Sequence, residues 1–231
     1  MSLPDVVSGV ISNCVFVIIV LILFFTVWAI ARLRFARPAA NLFGIQGNTP
    51  ITIFISAFEH SGVLTRRVVN AAEYEAAVNL TNFFQGIAGP GLLRSLAMFL
   101  GGLIGIALPT PVPTIVASPL EDLSAPPVSG PVIAIGGPIA NQVTKYYLSG
   151  SPRYSFDAAS SQYQLRMGTT YVPIQPSNDV AIVEKRVVGG QPAVLLHGFG
   201  ENQTARAVQF LMHNWRRLAS ENQATEFAER V

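Results

Sequence analysis

The chain has few cysteines and few charged residues, and each shortage excludes a class of protein. Its 231 residues contain one cysteine, Cys14, so neither an intrachain disulfide nor a cysteine-ligated zinc site is available. Charged residues make up 12% of the chain, whereas about a quarter is usual in soluble proteins. The net charge of +2 does not provide the dense basic surface that nucleic-acid binding requires, so no nucleic-acid partner is expected.

The familiar signatures of catalysis and cofactor binding are also missing from the sequence. There is neither a Walker A motif nor a G-x-G-x-x-G motif, and no serine lies in a G-x-S-x-G setting. His60, His197 and His213 lie far apart and do not have the spacing of a metal site. The sequence therefore predicts no metal, no cofactor and no catalytic residue, and it favours a protein that is not an enzyme.

One long apolar run dominates the N-terminus. Val6–Ala31 has no charged side chain, and about 20 apolar residues in a helix suffice to cross a bilayer. The run predicts a single transmembrane helix; a cleaved signal peptide is the alternative, because Ala29-Ile30-Ala31 resembles a cleavage site. The side chains expected to contact lipid or transmembrane partner subunits are Val15, Phe16, Ile19, Leu23, Phe24 and Trp28.

The charges around this run predict its orientation. Arg32, Arg34 and Arg37 follow it directly, and the first acidic residue after it is Glu59. Positively charged flanks stay on the cytoplasmic side of a membrane. We therefore expect a protein of the bacterial inner-membrane type, with its N-terminus outside and the remaining chain in the cytoplasm.

Strand and helix patterns alternate after the anchor, which indicates an α/β fold. Ile51–Phe58 is typical of a buried strand and Asn70–Gly86 of a capped helix, and the strand Pro131–Ile135 precedes a second helix, Asn141–Leu148. Thr204–Leu218 is typical of an amphipathic helix, and the residues of its apolar face are Ala207, Val208, Leu211, Trp215 and Leu218. The expected organisation is a membrane anchor over 1–33, a linker over 34–50, one Rossmann-like three-layer domain over 51–219 and a polar tail over 220–231.

Two further segments of the domain carry specific expectations. Val180–Val188 and Ala193–Leu196 flank Gly189-Gly190, a pattern that predicts an antiparallel hairpin. Leu92–Leu108 is a second apolar run, and it is shorter than a membrane span usually requires. A buried core helix, a segment resting on the bilayer and a second span all remain open for it.

Three of the predicted strands end in turn residues that precede a helix. In open α/β sheets, ligands bind beyond the carboxyl ends of the strands, where glycine allows close approach and helix N-termini offer free amides. The structural alternative is that the glycines only turn the chain and that the Asn and Thr residues cap helices. The candidate ligand-binding residues are Gly136, Gly137, Asn141, Gly198, Gly200, Asn202 and Thr204.

Two segments of the C-terminal hundred residues resemble a known class of domain. Ile133–Tyr147 and Asp179–Phe210 resemble Rossmann-like nucleotide- and nucleoside-binding modules of the SLOG and nucleoside deoxyribosyltransferase type. The resemblance implies a nucleotide-like ligand and, in an enzymatic member, a carboxylate nucleophile, for which Glu59, Glu73 and Glu75 are the early candidates. The positions that match the pattern are Gly136, Gly137, Pro138, Asn141, Thr144, Gly198, Gly200, Thr204 and Ala207.

The sequence thus leaves two functions open. The first is a non-enzymatic accessory subunit, whose anchor packs against a larger membrane complex and whose α/β domain covers the cytoplasmic face of that complex. The alternative is a membrane-anchored sensor or effector domain that binds a nucleotide-like small molecule, with a degenerate nucleoside-processing enzyme as its variant.

Overall fold

The computed structural model divides the chain into two compact units, Met1–Arg37 with Gly86–Leu108 and Pro38–Gln85 with Pro109–Val231. The described residues are 3–31, 33–34, 37–45, 50–60, 66–86, 95, 99, 111–175, 179–221 and 227–231.

The first unit contains one long apolar helix, as predicted. Helix α1 covers Leu3–Ala31, and its 21-residue segment Ile11–Ala31 contains an 18-residue window with a mean hydropathy of 3.1. Such a segment rises about 32 Å, which is long enough to cross a bilayer. Phe16 and Leu23 on this helix are 67% and 60% exposed.

The second apolar run belongs to the same unit and lies mostly outside the described residues. Within Leu92–Leu108 only Ser95 and Phe99 are described. Phe99 is 66% exposed, which at this position disfavours the core-helix alternative. The choice between a membrane-surface segment and a second span stays a prediction.

The second unit is built on a six-stranded mixed sheet. Its strands are β1 (Pro50–Ile55), β4 (Val112–Ala117), β5 (Val132–Ile135), β9 (Ala181–Val188), β10 (Gln191–Gly198) and β11 (Phe227–Arg230). Their order across the sheet is β11-β9-β10-β5-β1-β4. The four strands from β10 to β4 are parallel to one another, and β9 runs antiparallel to β10 and to β11.

Apolar composition explains why β5 lies at the centre of this sheet. All four of its residues are buried, as expected for a parallel strand that is covered on both faces. The predicted hairpin is confirmed as β9 and β10, which pair across Gly189 and Gly190. Both glycines have positive φ values, +59° and +81°, the conformation that a tight hairpin turn requires.

Two small antiparallel sheets accompany the main one. Strands β2 (Ala57–His60) and β3 (Arg66–Val69) form a pair. A three-stranded meander consists of β6 (Tyr154–Asp157), β7 (Gln162–Met167) and β8 (Thr170–Pro173). The predicted continuous strand Ile51–Phe58 is therefore divided at Ser56, where the main sheet ends and β2 begins.

Four more helices are described, and three of them, Ala71–Gly86, Gln142–Leu148 and Glu201–Glu221, agree with the sequence patterns. Helix α3 (Ala71–Gly86) begins after Asn70, whose Oδ1 accepts hydrogen bonds from the backbone N–H of Ala72 and Glu73. Helix α5 (Glu201–Glu221) packs on β9 and β10. The other two are α2 (Arg37–Phe43) and α4 (Gln142–Leu148), and the predicted apolar face of α5, Ala207, Val208, Leu211, Trp215 and Leu218, is buried.

The expected linker and tail both contain regular structure. Within 34–50, helix α2 buries Leu42 and Phe43, which are 0% and 2% exposed. Within 220–231, β11 pairs with β9 and completes one edge of the main sheet. Strand pairing is set by a distant segment of the chain, so the polar local composition did not reveal it.

Candidate functional site

Three parallel strands end together at one edge of the main sheet. Ile55 of β1 pairs with Ile135 of β5, which pairs in turn with Leu196 of β10. The chain then leaves the sheet through three loops that begin at Ser56, Gly136 and Phe199. This is the arrangement that the turn residues predicted.

A cavity of about 150 Å³ lies at this edge. Four of the predicted residues line it, namely Gly137, Gly198, Gly200 and Thr204. Its mouth carries three apolar side chains that are unusually exposed, since Phe58, Ile139 and Phe199 are 45%, 65% and 46% exposed. The structure thus places four of the seven candidate residues at one cavity, and their role in ligand binding stays a prediction.

Asn141 has a structural role and does not line the cavity. Its side chain is fully buried, and Oδ1 accepts hydrogen bonds from the N–H groups of Val143 and Thr144 at 3.1 and 3.2 Å. Its Nδ2 donates to the carbonyl oxygens of Phe54 and Ile135 at 3.2 and 2.8 Å. Asn141 therefore caps α4 and ties that helix to two strands, which uses its side-chain donors and acceptor.

Gly136 and Asn202 also lie outside the cavity wall. Asn202 is exposed in the first turn of α5. Gly136 has φ of +119°, and a Cβ atom there would lie 2.1 Å from Ser56 Oγ and 2.7 Å from the Glu73 carboxylate. The glycine is required because the Ser56 and Glu73 side chains pass directly beside its backbone.

Close backbone packing also explains two of the lining glycines. A Cβ atom on Gly137 would lie 3.0 Å from the carbonyl oxygen of Gly198, and one on Gly198 would lie 2.7 Å from that of Val180. Gly200 differs, because its nearest neighbour would be the flexible Gln203 side chain at 3.2 Å. Gly200 is thus the lining glycine at which a side chain can narrow the cavity with little strain elsewhere.

Glu73 is the carboxylate that the fold brings to the cavity. It is 6% exposed, and its two oxygens accept hydrogen bonds from the backbone N–H and the hydroxyl of Ser56 at 2.7 and 3.0 Å. Burial raises the pKa of Glu73, the Ser56 bonds oppose that rise, and Glu201 adds to it. The other early candidates, Glu59 and Glu75, are exposed and do not line the cavity.

The charged residues that line the cavity, among those described, are two acids, Glu73 and Glu201. Glu201 also lines it and accepts a hydrogen bond from Asn70 Nδ2 at 2.9 Å. Among the described lining residues there is no lysine or arginine. A phosphate group would therefore meet two acids without a compensating cation, so the cavity suits an uncharged or cationic group better than an anion.

A buried polar network that no sequence motif predicts reaches the cavity at one residue, Tyr163. The Tyr163 hydroxyl lies 3.2 Å from the carbonyl oxygen of Gly198 and 3.1 Å from His197 Nδ1. Burial raises the pKa of Tyr163. Behind them, Glu184 Oε2 lies 3.9 Å from His197 Nε2, and all three side chains are fully buried.

One feature of the sequence points to this network, namely a run of charged residues inside the apolar strand β9. Glu184, Lys185 and Arg186 interrupt an otherwise apolar strand, yet all three are buried. Lys185 Nζ donates to the carbonyl oxygen of Asn41, and Arg186 donates to those of Tyr147 and Gly150. Charged residues inside a buried strand indicate partners in the core, and here one of them reaches the cavity through His197.

Metal binding has no support in the described part of the chain. Within those residues, no three His, Cys, Asp or Glu side chains lie close enough together to hold an ion. His213 Nδ1 is 2.7 Å from the carbonyl oxygen of Gln209 in its own helix.

Comparisons of the chain with protein-family models, curated proteins and solved structures find no match.

Proposed function

We propose that the chain is a single-pass membrane protein whose Rossmann-like domain binds an uncharged, hydroxylated small molecule of the nucleoside type. One observation carries the proposal: the loops after three parallel strands surround a cavity with a polar floor and an exposed apolar rim. Glu73 and Tyr163 supply the floor, and Phe58, Ile139 and Phe199 supply the rim. Sites for small molecules combine these features, with a few polar groups that orient the ligand.

The two acidic residues that line the cavity favour an uncharged nucleoside over a nucleotide, which carries a negatively charged phosphate. Each Glu73 oxygen accepts one hydrogen bond from Ser56 and has a further lone pair to which a ligand hydroxyl can donate, whereas a phosphate would be repelled by Glu73 and by Glu201. The anchoring half of the proposal is supported by the apolar helix α1. The cytoplasmic placement of the domain is supported by Arg34 and Arg37, which follow that helix.

Thermal unfolding of the full chain in lipid nanodiscs tests the proposal. The probes are adenosine, guanosine, cytidine and uridine, each compared with its 5′-monophosphate. We expect at least one nucleoside to raise the melting temperature by about 5–10 °C near saturation, and its monophosphate to do so less. If all four nucleosides leave the melting temperature unchanged, the proposal is wrong.

A pair of glycine variants separates cavity binding from binding elsewhere. Gly200→Val places a side chain at the cavity wall and should abolish the shift. Gly86→Val is the matched control, because a side chain there meets no atom within 4 Å, and it should keep the full shift. Equal shifts in the two variants would show that the nucleoside binds at another place.

The accessory-subunit function is a second candidate, and a separate observation favours it. Apolar side chains are exposed on the edge strand β4 and on β3, where Val112 and Val68 are 55% and 46% exposed. Arg67 joins these two strands by donating to the carbonyl oxygens of Ala117 and Ser118. Exposed apolar strand edges are typical of protein interfaces. Purification in mild detergent should then yield a stoichiometric complex that Val112→Asp disrupts.

A further inference from the structure

The cavity at the strand ends is too small for a whole nucleoside. Its volume of about 150 Å³ lies below the range of roughly 300–1,000 Å³ that small-molecule sites occupy. A ligand held there by its hydroxyl groups must therefore extend beyond it. The direction in which it extends is indicated by a second cavity.

The second cavity has a volume of about 590 Å³ and adjoins the first. Both cavities are lined by Pro138, Ile139 and Phe156. Ile139 is 65% exposed, which is unusual for a large apolar residue in a loop between two concave sites. A ligand that crossed from one cavity to the other would lie over Ile139 and remove its side chain from water.

The lining of the second cavity suits a flat ring. Tyr154 and Phe156 of β6 and Tyr171 of β8 contribute aromatic side chains, and Leu148 of α4 adds an aliphatic one. Aromatic side chains bind planar groups by offset or edge-to-face contacts. Lys145 is the one charged residue among the described lining residues of this cavity, and it is already paired with Asp122 at 2.6 Å, so the cavity does not require a charged ligand.

Gln142 gives this cavity a specific polar feature. Its Oε1 atom is buried and has no hydrogen-bond partner within the described part of the chain. The backbone N–H of the same residue is satisfied by Ser118 Oγ at 3.0 Å. A buried acceptor without a donor is costly, and an N–H or O–H group on a ligand ring would remove that cost.

From these observations we infer that the two cavities form one extended site. The smaller cavity takes the hydroxylated part of the ligand, and the larger one takes a flat uncharged ring that donates a hydrogen bond to Gln142 Oε1. The inference rests on the proposed function, because it assumes a ligand in the smaller cavity. It adds the position of the ring and assigns Gln142 as a residue that determines specificity.

Cysteine protection in the full chain tests the position of the ring. Cys14→Ser removes the only cysteine, and Ala158→Cys then places one thiol at an exposed position that lines the larger cavity. Thr169→Cys, on the exposed turn after β7, is the matched control. The nucleoside that raises the melting temperature should slow alkylation by iodoacetamide at least tenfold in Ala158→Cys and leave Thr169→Cys unchanged, and D-ribose should protect neither.

Gln142→Met tests the specificity residue, since it keeps the length of the side chain and removes the acceptor. We expect it to weaken binding of a nucleoside with a ring amino group about tenfold, and to leave unchanged the affinity for the analogue that lacks this group. If the nucleoside stabilises the protein and Gly200→Val abolishes that effect, but neither Ala158→Cys protection nor Gln142 discrimination appears, the inference is wrong and the proposed function stands. If no nucleoside stabilises the protein, both are wrong.

Discussion

Glu73 bonds helix α3 to the end of β1 and also contributes a carboxylate to the cavity. It lies on the first turn of α3, where a glutamate would ordinarily bond back to the capping residue, but its carboxylate instead reaches Ser56 at the end of β1. Burial makes the ionised form less favourable than in water. The proton affinity of this one side chain therefore depends on whether the domain is folded.

This linkage predicts how stability changes with pH. The pKa of Glu73 is raised above its ordinary value of 4.5 in the fold, so the folded state binds more protons than the unfolded chain between the two pKa values. Stability attributable to Glu73 then falls as the pH rises from about 4.5 through the folded pKa. Glu73→Gln keeps one acceptor for Ser56 and cannot ionise, so it should remove this loss.

Chemical unfolding at a series of pH values checks the prediction. The difference in unfolding free energy between Glu73→Gln and wild type should grow in favour of the variant across that window. Glu75→Gln is the control, since Glu75 is an exposed acid on the same helix. A constant difference between Glu73→Gln and wild type at all pH values would contradict the role of burial.

Single residues were the hardest feature to assign from the sequence. Four of the seven candidate residues line one cavity, but Asn141 and Gly136 serve packing, as the structural alternative allows. Tyr163 was not singled out, because its position at the cavity depends on the meander folding back towards β10. Contacts between distant segments leave no local pattern in a sequence.

At the scale of the elements, α4 depends on one buried side chain. This helix has seven residues, too few to be stable by its own hydrogen bonds. Asn141 satisfies two of its free N–H groups and two strand carbonyls at once. The connection of α4 to the main sheet is thus concentrated in a single amide.

Asn141→Ala should therefore destabilise the domain strongly. Loss of the cap costs about 1 kcal/mol, and two buried carbonyls lose their donor, so we expect a total of roughly 2–4 kcal/mol in the free energy of unfolding. Asn202→Ala is the matched control, because Asn202 is exposed in the first turn of α5; it should change stability by less than about 0.5 kcal/mol. Denaturant titration measures both. Equal effects would mean that the buried amide has no special role.

Elements with their own periodic pattern were predictable, and those formed by pairing were not. The buried face of α5 and the glycine pair of the β9–β10 hairpin followed from sequence spacing. Strand β11 did not, since Phe227–Arg230 is short and polar and joins the sheet only because β9 offers an unpaired edge. Helix α2 was missed for a related reason: its seven residues include Pro38, a residue typical of linkers.

The whole molecule combines an apolar helix with a domain whose cavity is acidic. Helix α1 has the composition of a bilayer span, and the charges at its two ends differ in sign, with arginines after it and Asp5 in its first turn. The positive-inside rule therefore predicts that the chain after the helix lies in the cytoplasm. A nucleoside-type ligand would then be drawn from the cytoplasmic pool.

Single-cysteine labelling of sealed, right-side-out vesicles tests this topology. In a Cys14→Ser background, a membrane-impermeant maleimide should label Ser2→Cys at once and should label Thr169→Cys only after the membrane is opened. Labelling of Thr169→Cys in sealed vesicles would overturn the cytoplasmic assignment.

Changing Arg32, Arg34 and Arg37 to Gln together with Asp5→Lys reverses the charge asymmetry, so a fraction of the molecules should insert the other way. In that fraction Thr169→Cys becomes accessible from outside, because the flanking charges, and not the folded domain, decide which end of the helix crosses the bilayer.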